Sequence, residues 1–364
     1  MILTAVRSLH VIGGTALGGA ERFFVRLVNA LCQRNQAVAV VTVKGGEIDA
    51  AIDPGITRYH APLFATWDRY SRWLINRAAK DFSAAVVQTY MGRATRITRL
   101  PANSTSVHLA RLGGYYNLKG YRHAHAWVGN TRGIARYLVD RGLPENRCFY
   151  IGNFVDTSVP ASIDVLNGLR AEYRIPEQAR LLLGLGRFHP NKGWSDLLDA
   201  FARLPAQTDG RALHLLMVGS GPLDAELRQQ AKLLGIESRI TWTGWQKDPA
   251  PWYQLADLFV CASRHEPLGN VILEAWANRT LTVSTRAEGP LELMEDGLDG
   301  LLAPLQNPPA LAAVIETALS LPQAERAAMI EAGAHKLQDR FSEDAIVNQY
   351  QELYAQLTRW NNLV

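Results

Sequence analysis

The sequence predicts an α/β protein made of two parallel-sheet domains, and three observations lead to this fold class. The chain has 364 residues, a length that suits two domains of ordinary size. Short β-branched or leucine-rich runs alternate with amphipathic helical segments, as in parallel sheets that carry helices on both faces. The alternation occurs once before a polar, turn-forming segment, NFVDTSVPASID, and a second time after it.

The first half begins with a buried strand in ILTAVRSLHVIGG, which runs into a glycine-rich turn. The helix after it has apolar residues at helical spacing, which predicts a buried face. The residues of that face are Phe24, Leu27, Val28 and Leu31. Further strands are predicted at AVAVVTV, AAVVQTY, STSVHLARL and HAWVGNT.

The second half repeats the pattern. Its strands are predicted at RLLLGLGRF, LHLLMVGSG, RITWTG, LFVCAS and LTVST. Between the first two lies a helix that turns Leu197, Leu198 and Phe201 inward. We assign an N-terminal domain to residues 1–155 and a C-terminal domain to residues 156–342. The helix of residues 343–364 has no strand after it, so it closes the second domain or packs back on the first.

Composition excludes several classes of protein. With 48% hydrophobic and 20% charged residues, the chain is a globular protein rather than a disordered or fibrous one. No stretch reaches the roughly 18 apolar residues of a membrane span, and the N-terminus lacks the pattern of a signal peptide. We therefore expect a cytoplasmic protein. Its three cysteines are far apart in the sequence and are expected to be buried free thiols.

Charge is distributed unevenly between the halves. Residues 1–155 contain 20 Lys and Arg against 8 Asp and Glu, whereas the rest of the chain contains 18 against 26. Such a division indicates that the two domains bind different partners.

The segment ADLFVCASRHEPLGNVILEAWAN carries the most specific chemistry. Glu266 lies in the loop after a strand, and Glu274 lies about one and a half turns into the next helix. The backbone N–H groups of Gly269, Asn270 and Val271 at the helix start suit a phosphate group. Glu266 can then bind a sugar hydroxyl, and Glu274 a ribose diol.

Two further segments suit phosphate binding. In GLGRFHPNKG, Arg187 and Lys192 lie on one loop between a strand and a helix, where two cations suit a diphosphate. In HVIGGTALGGAER, Gly18 and Gly19 allow a close approach of the backbone to phosphate. This loop does not match GxGxxG, and an NAD-dependent dehydrogenase is accordingly disfavoured.

Together these segments resemble the family 4 glycosyltransferases, which are retaining enzymes of the GT-B fold. The resemblance rests on GGAER, GLGRFHPNKG and EPLGNVILE, with LMVGSGPL, ITWTGW and ADLFVCAS between them in family order. It covers nearly the whole chain. It implies two Rossmann-like parallel-sheet domains that face each other across a cleft, with a nucleotide-sugar bound by the C-terminal domain and an acceptor by the N-terminal domain.

The resemblance also implies roles for individual residues. Arg187 and Lys192 would neutralise the donor diphosphate, Glu266 would touch the donor sugar and Glu274 the ribose. The donor-binding residues implied are Gly18, Gly19, Arg187, Lys192, Trp245, Gln246, Glu266, Leu268, Gly269, Asn270, Val271 and Glu274. The family transfers sugar by front-face attack, with the departing diphosphate assisting. No Asp-x-Asp pair is present, so we expect no metal and no cofactor besides the nucleotide-sugar co-substrate.

The chain departs from the family at the histidine that often ends an N-terminal strand. His108 is the candidate catalytic residue by this comparison, but it lies within the predicted strand SVHLARL, where a histidine packed in the core is the favoured alternative. Arg111 and Tyr115 are then candidates for holding the acceptor, and His10 is a further one.

Basic residues interleave with aromatic ones in RYHAPLFATWDRYSRWLINRAAKDF, which includes Trp67, Tyr70 and Trp73. Arg93, Arg96 and Arg99 recur every three residues, which on a helix is one side. Such a surface suits an anionic membrane or an acidic acceptor. No nucleic-acid motif accompanies it, so no nucleic-acid partner is expected. The protein is then expected at the cytoplasmic face of the inner membrane.

The leading hypothesis is a retaining glycosyltransferase that moves a sugar from a UDP-sugar to a lipopolysaccharide, polysaccharide or lipid-linked acceptor. A sugar-nucleotide epimerase of the same fold would convert the donor without an acceptor. A non-catalytic nucleotide-sugar binding protein is the third alternative, disfavoured because Arg187, Lys192, Glu266 and Glu274 are all present.

Overall fold

The computed structural model describes residues 6–361, which form two compact units. The first unit contains the chain up to Phe154 together with the segment from Phe341 onward. The second unit runs from Val155 to Arg340. The predicted first strand also took in residues 2–5, which lie outside the described residues, as do residues 362–364.

The first unit is built on a parallel sheet. Its strands are β1 (Ser8–Ile12), β2 (Val38–Thr42), β3 (Thr57–His60), β4 (Val86–Tyr90), β5 (Val107–Leu112), β6 (Ala126–Gly129) and β7 (Cys148–Tyr150). Its helices are α1 (Gly19–Gln33), α2 (Glu47–Ala51), α3 (Arg69–Asp81), α4 (Met91–Ile97), α5 (Arg132–Asp140) and α14 (Glu343–Asn361). The strands lie in the order β3-β2-β1-β4-β5-β6-β7, and each pairs in parallel with its neighbours.

Helices cover both faces of this sheet, as the alternation predicts. The residues of α1 that were expected to face inward are all buried, and they share a core with residues of α14 such as Tyr350 and Tyr354. On the opposite face, Ile75 of α3 and Ile97 of α4 pack in a second cluster. The terminal helix therefore belongs to the core of the first unit.

The second unit is also built on a parallel sheet. Its strands are β8 (Arg180–Leu185), β9 (Gln207–Thr208), β10 (Arg211–Val218), β11 (Ile240–Gly244), β12 (Leu258–Cys261), β13 (Thr282–Thr285) and β14 (Leu301–Ala303). Its helices are α6 (Ile163–Glu172), α7 (Trp194–Arg203), α8 (Asp224–Leu233), α9 (Ala250–Leu255), α10 (Asn270–Ala277), α11 (Glu288–Leu293), α12 (Pro308–Ser320) and α13 (Gln323–Phe341). The main order is β11-β10-β8-β12-β13-β14, and β9 pairs antiparallel with β10.

The strand order positions a candidate site in each unit. In the first unit the order reverses between β1 and β4, and in the second between β8 and β12. Open parallel sheets bind ligands at such a switch point, beyond the carboxyl ends of the two strands. The segments that follow β1 and β8 are those with Gly18-Gly19 and with Arg187 and Lys192.

The prediction that Arg93, Arg96 and Arg99 lie along one helix side is wrong. α4 ends at Ile97, and Thr98 is already extended, with φ −70° and ψ 110°. Pro101 follows shortly and disfavours a helical conformation in the residue before it. Arg93 remains exposed and donates hydrogen bonds to the carbonyls of Gly13 (3.1 Å) and Leu63 (3.2 Å).

Three further observations concern membrane, metal and thiol chemistry. Within residues 6–361, no helix has the length and apolar character needed to cross a membrane. Over the same part of the chain, no group of three or more His, Cys, Asp or Glu side chains is arranged to hold a metal ion. Cys32, Cys148 and Cys261 are free thiols, but only Cys261 is buried as predicted, and the other two are half-buried.

Candidate functional site

Two loops of the second unit meet beyond the carboxyl ends of β8 and β12. The carbonyl of Asn191, in the loop after β8, accepts hydrogen bonds from the backbone N–H groups of Arg264 (2.8 Å) and His265 (3.1 Å) in the loop after β12. Gly193 makes this approach possible, because its φ is +63° and an added Cβ would lie 1.9 Å from the carbonyl oxygen of Ala262. The loop that carries Lys192 is therefore held against the loop that carries Glu266.

Lys192 and Glu266 form an ion pair across these loops, between Nζ and Oε2. Glu266 is only 8% exposed, and its Oε2 also accepts a hydrogen bond from the Ser263 hydroxyl at 3.2 Å. Burial lowers the pKa of Lys192, but the charge and hydrogen bond of Glu266 together with Cys261 and Glu274 outweigh it, so the pKa lies above its ordinary value. The ammonium group is thus held charged among carboxylates.

Glu274 lies on α10, which begins just after Gly269. Gly269 has a φ of +97° and forms the N-cap of the helix. The Tyr253 hydroxyl, from α9, has two acceptors, the Val271 carbonyl at 3.1 Å and Oε2 of Glu274 at 3.2 Å. Burial and then the charge of Glu274 raise the pKa of Tyr253 well above its usual value, so this hydroxyl keeps its proton. Tyr253 therefore orients the Glu274 carboxylate.

The other predicted donor residues of the second unit lie around this group. Arg187 is exposed on the loop after β8, and its carbonyl accepts a hydrogen bond from the Trp194 indole at 2.9 Å. Leu268 is buried, and its backbone packs against Gly289. A Cβ added to Gly289 would lie 2.2 Å from the Leu268 carbonyl oxygen. Asn270 and Val271 are the first two residues of α10.

Trp245 and Gln246 follow β11, at the edge of the same sheet. The Trp245 side chain is 62% exposed. The Gln246 amide donates to the Tyr173 hydroxyl at 3.0 Å and to the Thr243 carbonyl at 2.9 Å, which ties the segment to its own unit. Their contact with a nucleotide base stays a prediction.

Sequence reasoning missed the residues that hold the two loops in place. Arg264 forms a bidentate ion pair with Asp196 of α7, at 2.7 and 2.6 Å. His265 lies 2.9 Å from a carboxylate oxygen of Glu288, whose other oxygen accepts from the Glu266 N–H at 3.4 Å. These pairs join segments that are far apart in the chain, so no local sequence pattern predicts them. The only sequence signal for these ion pairs was that Arg264, His265 and their partners Asp196 and Glu288 are charged or titratable residues in loops or at the starts of helices.

In the first unit, Gly18 and Gly19 lie where expected, between β1 and α1. Gly18 is the N-cap of α1, and Gly19 is its first residue. A Cβ on Gly18 would lie 2.7 Å from Oε2 of Glu21, whose carboxylate therefore occupies space beside this turn. The role of the two glycines in phosphate binding stays a prediction.

The prediction that His10 ends its strand is wrong, whereas His108 lies within its strand as predicted. His10 is the third residue of β1, not its end, and is fully buried. Its ring nitrogens lie 2.9 Å from the Tyr90 hydroxyl and 3.0 Å from that of Ser8, and burial lowers its pKa to about 3. His108 is 1% exposed within β5, and its Nε2 lies 2.9 Å from the Thr89 hydroxyl. Both imidazoles are interior groups because they lie within buried strands.

Arg111 is also interior, at 3% exposure near the end of β5. Its Nε donates to the Tyr350 hydroxyl at 2.9 Å, its Nη2 donates to Asn153, and its guanidinium stacks 3.9 Å from the Phe23 ring centre. These contacts join α14 to the sheet. Arg111 therefore packs in the core of the first unit, and the prediction that it holds the acceptor is wrong. Tyr115 is 40% exposed and remains a candidate.

Comparison with known proteins defines the class. Residues 17–159 match the model of Glycosyltransferase Family 4, and residues 179–320 match that of Glycosyl transferases group 1. The lipopolysaccharide core biosynthesis glycosyltransferase LpsE of Rhizobium meliloti (strain 1021) is 34% identical over 342 residues, which is 93% of this chain and 96% of LpsE. LpsD of the same organism is 31% identical over 352 residues, 96% of this chain and 98% of LpsD.

A solved structure agrees with the fold. The crystal structure of Anabaena Alr3699/HepE in complex with UDP and glucose has a TM-score of 0.80 at 19% identity, over 96% of this chain and 100% of that one. The two parallel α/β units and these matches define a glycosyltransferase of the GT-B fold. The chain belongs to glycosyltransferase family 4.

Proposed function

We propose that this glycosyltransferase transfers a hexose from a nucleotide-sugar, with UDP as the nucleotide, to a saccharide acceptor in lipopolysaccharide core biosynthesis. The observation that carries the proposal is the grouping of Lys192, Glu266 and Glu274 at the switch point of the second unit. The names of LpsE and LpsD support the core saccharide as acceptor, and the UDP bound by HepE supports the nucleotide.

Each group has a role in this proposal that follows from its position. Arg187 and Lys192 bind the diphosphate, with the N-terminus of α10 beside them. Glu266 accepts a hydrogen bond from a donor-sugar hydroxyl, and Glu274 from the ribose. Trp245 and Gln246 lie beside the base.

Transfer proceeds with retention, by attack of the acceptor hydroxyl on the face from which the diphosphate departs. The C–O bond to the diphosphate breaks, the new C–O bond forms, and the acceptor proton passes to the departing phosphate oxygen. Negative charge therefore grows on the diphosphate, where Lys192 and Arg187 stabilise it most in the transition state. Because these cations supply the positive charge, the proposal includes no metal ion and no further cofactor.

A thermal-unfolding screen with UDP-, GDP- and ADP-sugars, each with and without excess EDTA, tests the donor. At 100 times its dissociation constant a ligand stabilises by about 2.7 kcal/mol, so a UDP-sugar is expected to raise the melting temperature by roughly 3–7 °C, the smaller shift if the whole chain unfolds together and the larger if the second unit unfolds alone. The shift should be the same in EDTA. The absence of a shift with every nucleotide-sugar would contradict the proposal, and conversion of the sugar without acceptor would indicate an epimerase.

We propose in addition that the first unit docks on anionic membrane at the cytoplasmic face, near its acceptor. The aromatic side chains of Phe64, Trp67, Tyr70 and Trp73 are 60%, 71%, 60% and 52% exposed, which is unusual for residues of their size. Tyr70 and Trp73 stack with ring centres 6.0 Å apart, and Arg77 lies over the Trp73 ring. Aromatic rings with nearby cations suit the interface of an anionic bilayer.

Flotation with vesicles tests the docking. The protein is expected to float with anionic vesicles at low salt and to lose most of this binding in high salt, because surface charges are screened. Y70S/W73S should reduce the bound fraction several-fold. Equal binding to neutral vesicles, or full binding of the double variant, would refute this docking.

A further inference from the structure

The first unit contains a basic cavity that the donor chemistry does not use. It has a volume of about 520 Å³, within the range of small-ligand sites. The residues that line it are Thr66, Trp67, Arg72, Arg96, Arg99, Asn117, Lys119 and Gly120. They come from the start of α3, the end of α4 and the turn after it, and a short 3-10 turn at Leu118–Gly120. The cavity thus lies on the sheet side covered by α3 and α4.

The charge of this cavity is of one sign. Four cations line it, no carboxylate does, and within the described residues none of the four has an ion-pair partner at 4.0 Å or less. The neighbouring imidazole of His123 responds to this potential: burial lowers its pKa, Arg99 and Arg72 lower it further, and two carbonyl hydrogen bonds oppose them. The positive charge is therefore left for a ligand from outside.

Local contacts fix one cation of the cavity, Arg72, and the backbone next to another, Arg99. Nε of Arg72 donates to the Ile97 carbonyl at 3.2 Å, which fixes the guanidinium at the end of α4. Asn76 donates to the Arg99 carbonyl at 3.2 Å. Arg96 lies across Gly120, where an added Cβ would be 2.2 Å from its Nε, so the Arg96 side chain packs directly on this glycine. The cavity is open to solvent, because all of its lining residues except Arg72 and Gly120 are exposed.

The lining chemistry fits a phosphorylated sugar. Guanidinium groups bind phosphate through paired hydrogen bonds, and an ammonium such as that of Lys119 adds a point charge. The Trp67 ring, held edge-on to Phe64 with ring centres 5.4 Å apart, offers an aromatic face to an apolar sugar face. Asn117 and Thr66 provide hydrogen-bonding groups for sugar hydroxyls.

We infer that this cavity binds a phosphate monoester carried by a sugar of the acceptor, and so selects phosphorylated core saccharides as substrates. This inference rests on the proposed function, since it assigns a subsite to the acceptor of that reaction. The donor diphosphate has its own cations in the second unit, Arg187 and Lys192. Four of the Lys and Arg residues that give residues 1–155 their positive charge would then bind this phosphate.

The experiment compares deacylated lipopolysaccharide core oligosaccharide before and after chemical removal of its phosphates. For the unaltered enzyme, KM is expected to be about 10-fold or more lower for the phosphorylated form, with kcat little changed. R96Q/R99Q should raise KM for the phosphorylated form about 10-fold and leave KM for the dephosphorylated form unchanged. Calorimetric titration of the same two oligosaccharides should show the same loss of affinity.

R69Q/K80Q is the matched control, because it removes two exposed cations of α3 that do not line the cavity. It should keep both KM values. Equal KM values for the two oligosaccharides with the unaltered enzyme would overturn the inference while leaving the transferase function intact. Absence of donor binding and transfer would instead overturn the proposed function. Loss of phosphatidic-acid vesicle binding in R96Q/R99Q, without any change in oligosaccharide KM, would assign the cavity to a lipid headgroup and also overturn the inference.

Discussion

Lys192→Ala is expected to lower kcat about 100- to 1,000-fold, the size of effect seen when a transition-state charge loses one preorganised partner. Affinity for the nucleotide-sugar should change less, because the charge on the departing diphosphate grows only as the bond breaks. Steady-state kinetics, together with calorimetry of UDP binding, separate the two effects. Lys232→Ala, on the exposed end of α8, is the matched control and should keep full activity.

Lys192 also compensates a buried carboxylate, so a loss of stability must be separated from a loss of catalysis. Removing the ammonium leaves Glu266 unpaired at 8% exposure, a situation that costs roughly 3–5 kcal/mol in buried pairs. K192M/E266Q removes both charges and should recover much of the melting temperature while remaining inactive. Recovery of turnover in this double variant would show that the pair serves folding rather than catalysis.

Glu274→Ala is expected to raise the dissociation constant of the nucleotide-sugar about 10- to 100-fold, since a carboxylate that accepts hydrogen bonds from a diol is worth roughly 1.5–3 kcal/mol. Glu226→Ala, in the exposed first turn of α8, is the control and should bind as the unaltered protein does. Isothermal calorimetry with UDP and with uracil alone measures the effect. An unaltered affinity for UDP would show that Glu274 does not bind the ribose.

The same experiment can use the partner of Glu274. Tyr253→Phe removes only the hydroxyl that donates to this carboxylate, so the loss of affinity should be smaller than for Glu274→Ala and in the same direction. A larger loss in Tyr253→Phe would mean that the tyrosine contacts the ligand itself.

Local patterns predicted the main features of the fold and of the second unit's loops. Amphipathic spacing identified the buried faces of α1 and α7, because a helix face that is buried must be apolar at every third or fourth residue. Strand ends and helix starts placed Glu266 in a loop and Glu274 on α10. These features depend on residues close together in the chain.

The errors came from burial and from contacts between distant segments. His10 was expected at the end of its strand, and only the layers of helix on both sheet faces show that it is enclosed. Arg111 looked available for an acceptor until α14 brought Tyr350 to it from 239 residues away. Tyr253 could not be linked to Glu274 in advance, since α9 and α10 meet only after folding.

By itself the sequence determined the alternation of strands and helices and the division into a basic first half and an acidic second half. It also determined the local positions of four residues, Arg187, Lys192, Glu266 and Glu274. The tertiary structure decided which of the charges are compensated. Lys192 has Glu266 as its partner, whereas the four cations of the first-unit cavity have no carboxylate partner among the described residues. The physical reason is that ion pairing falls off over a few ångströms, and only the strand order and loop contacts set those distances.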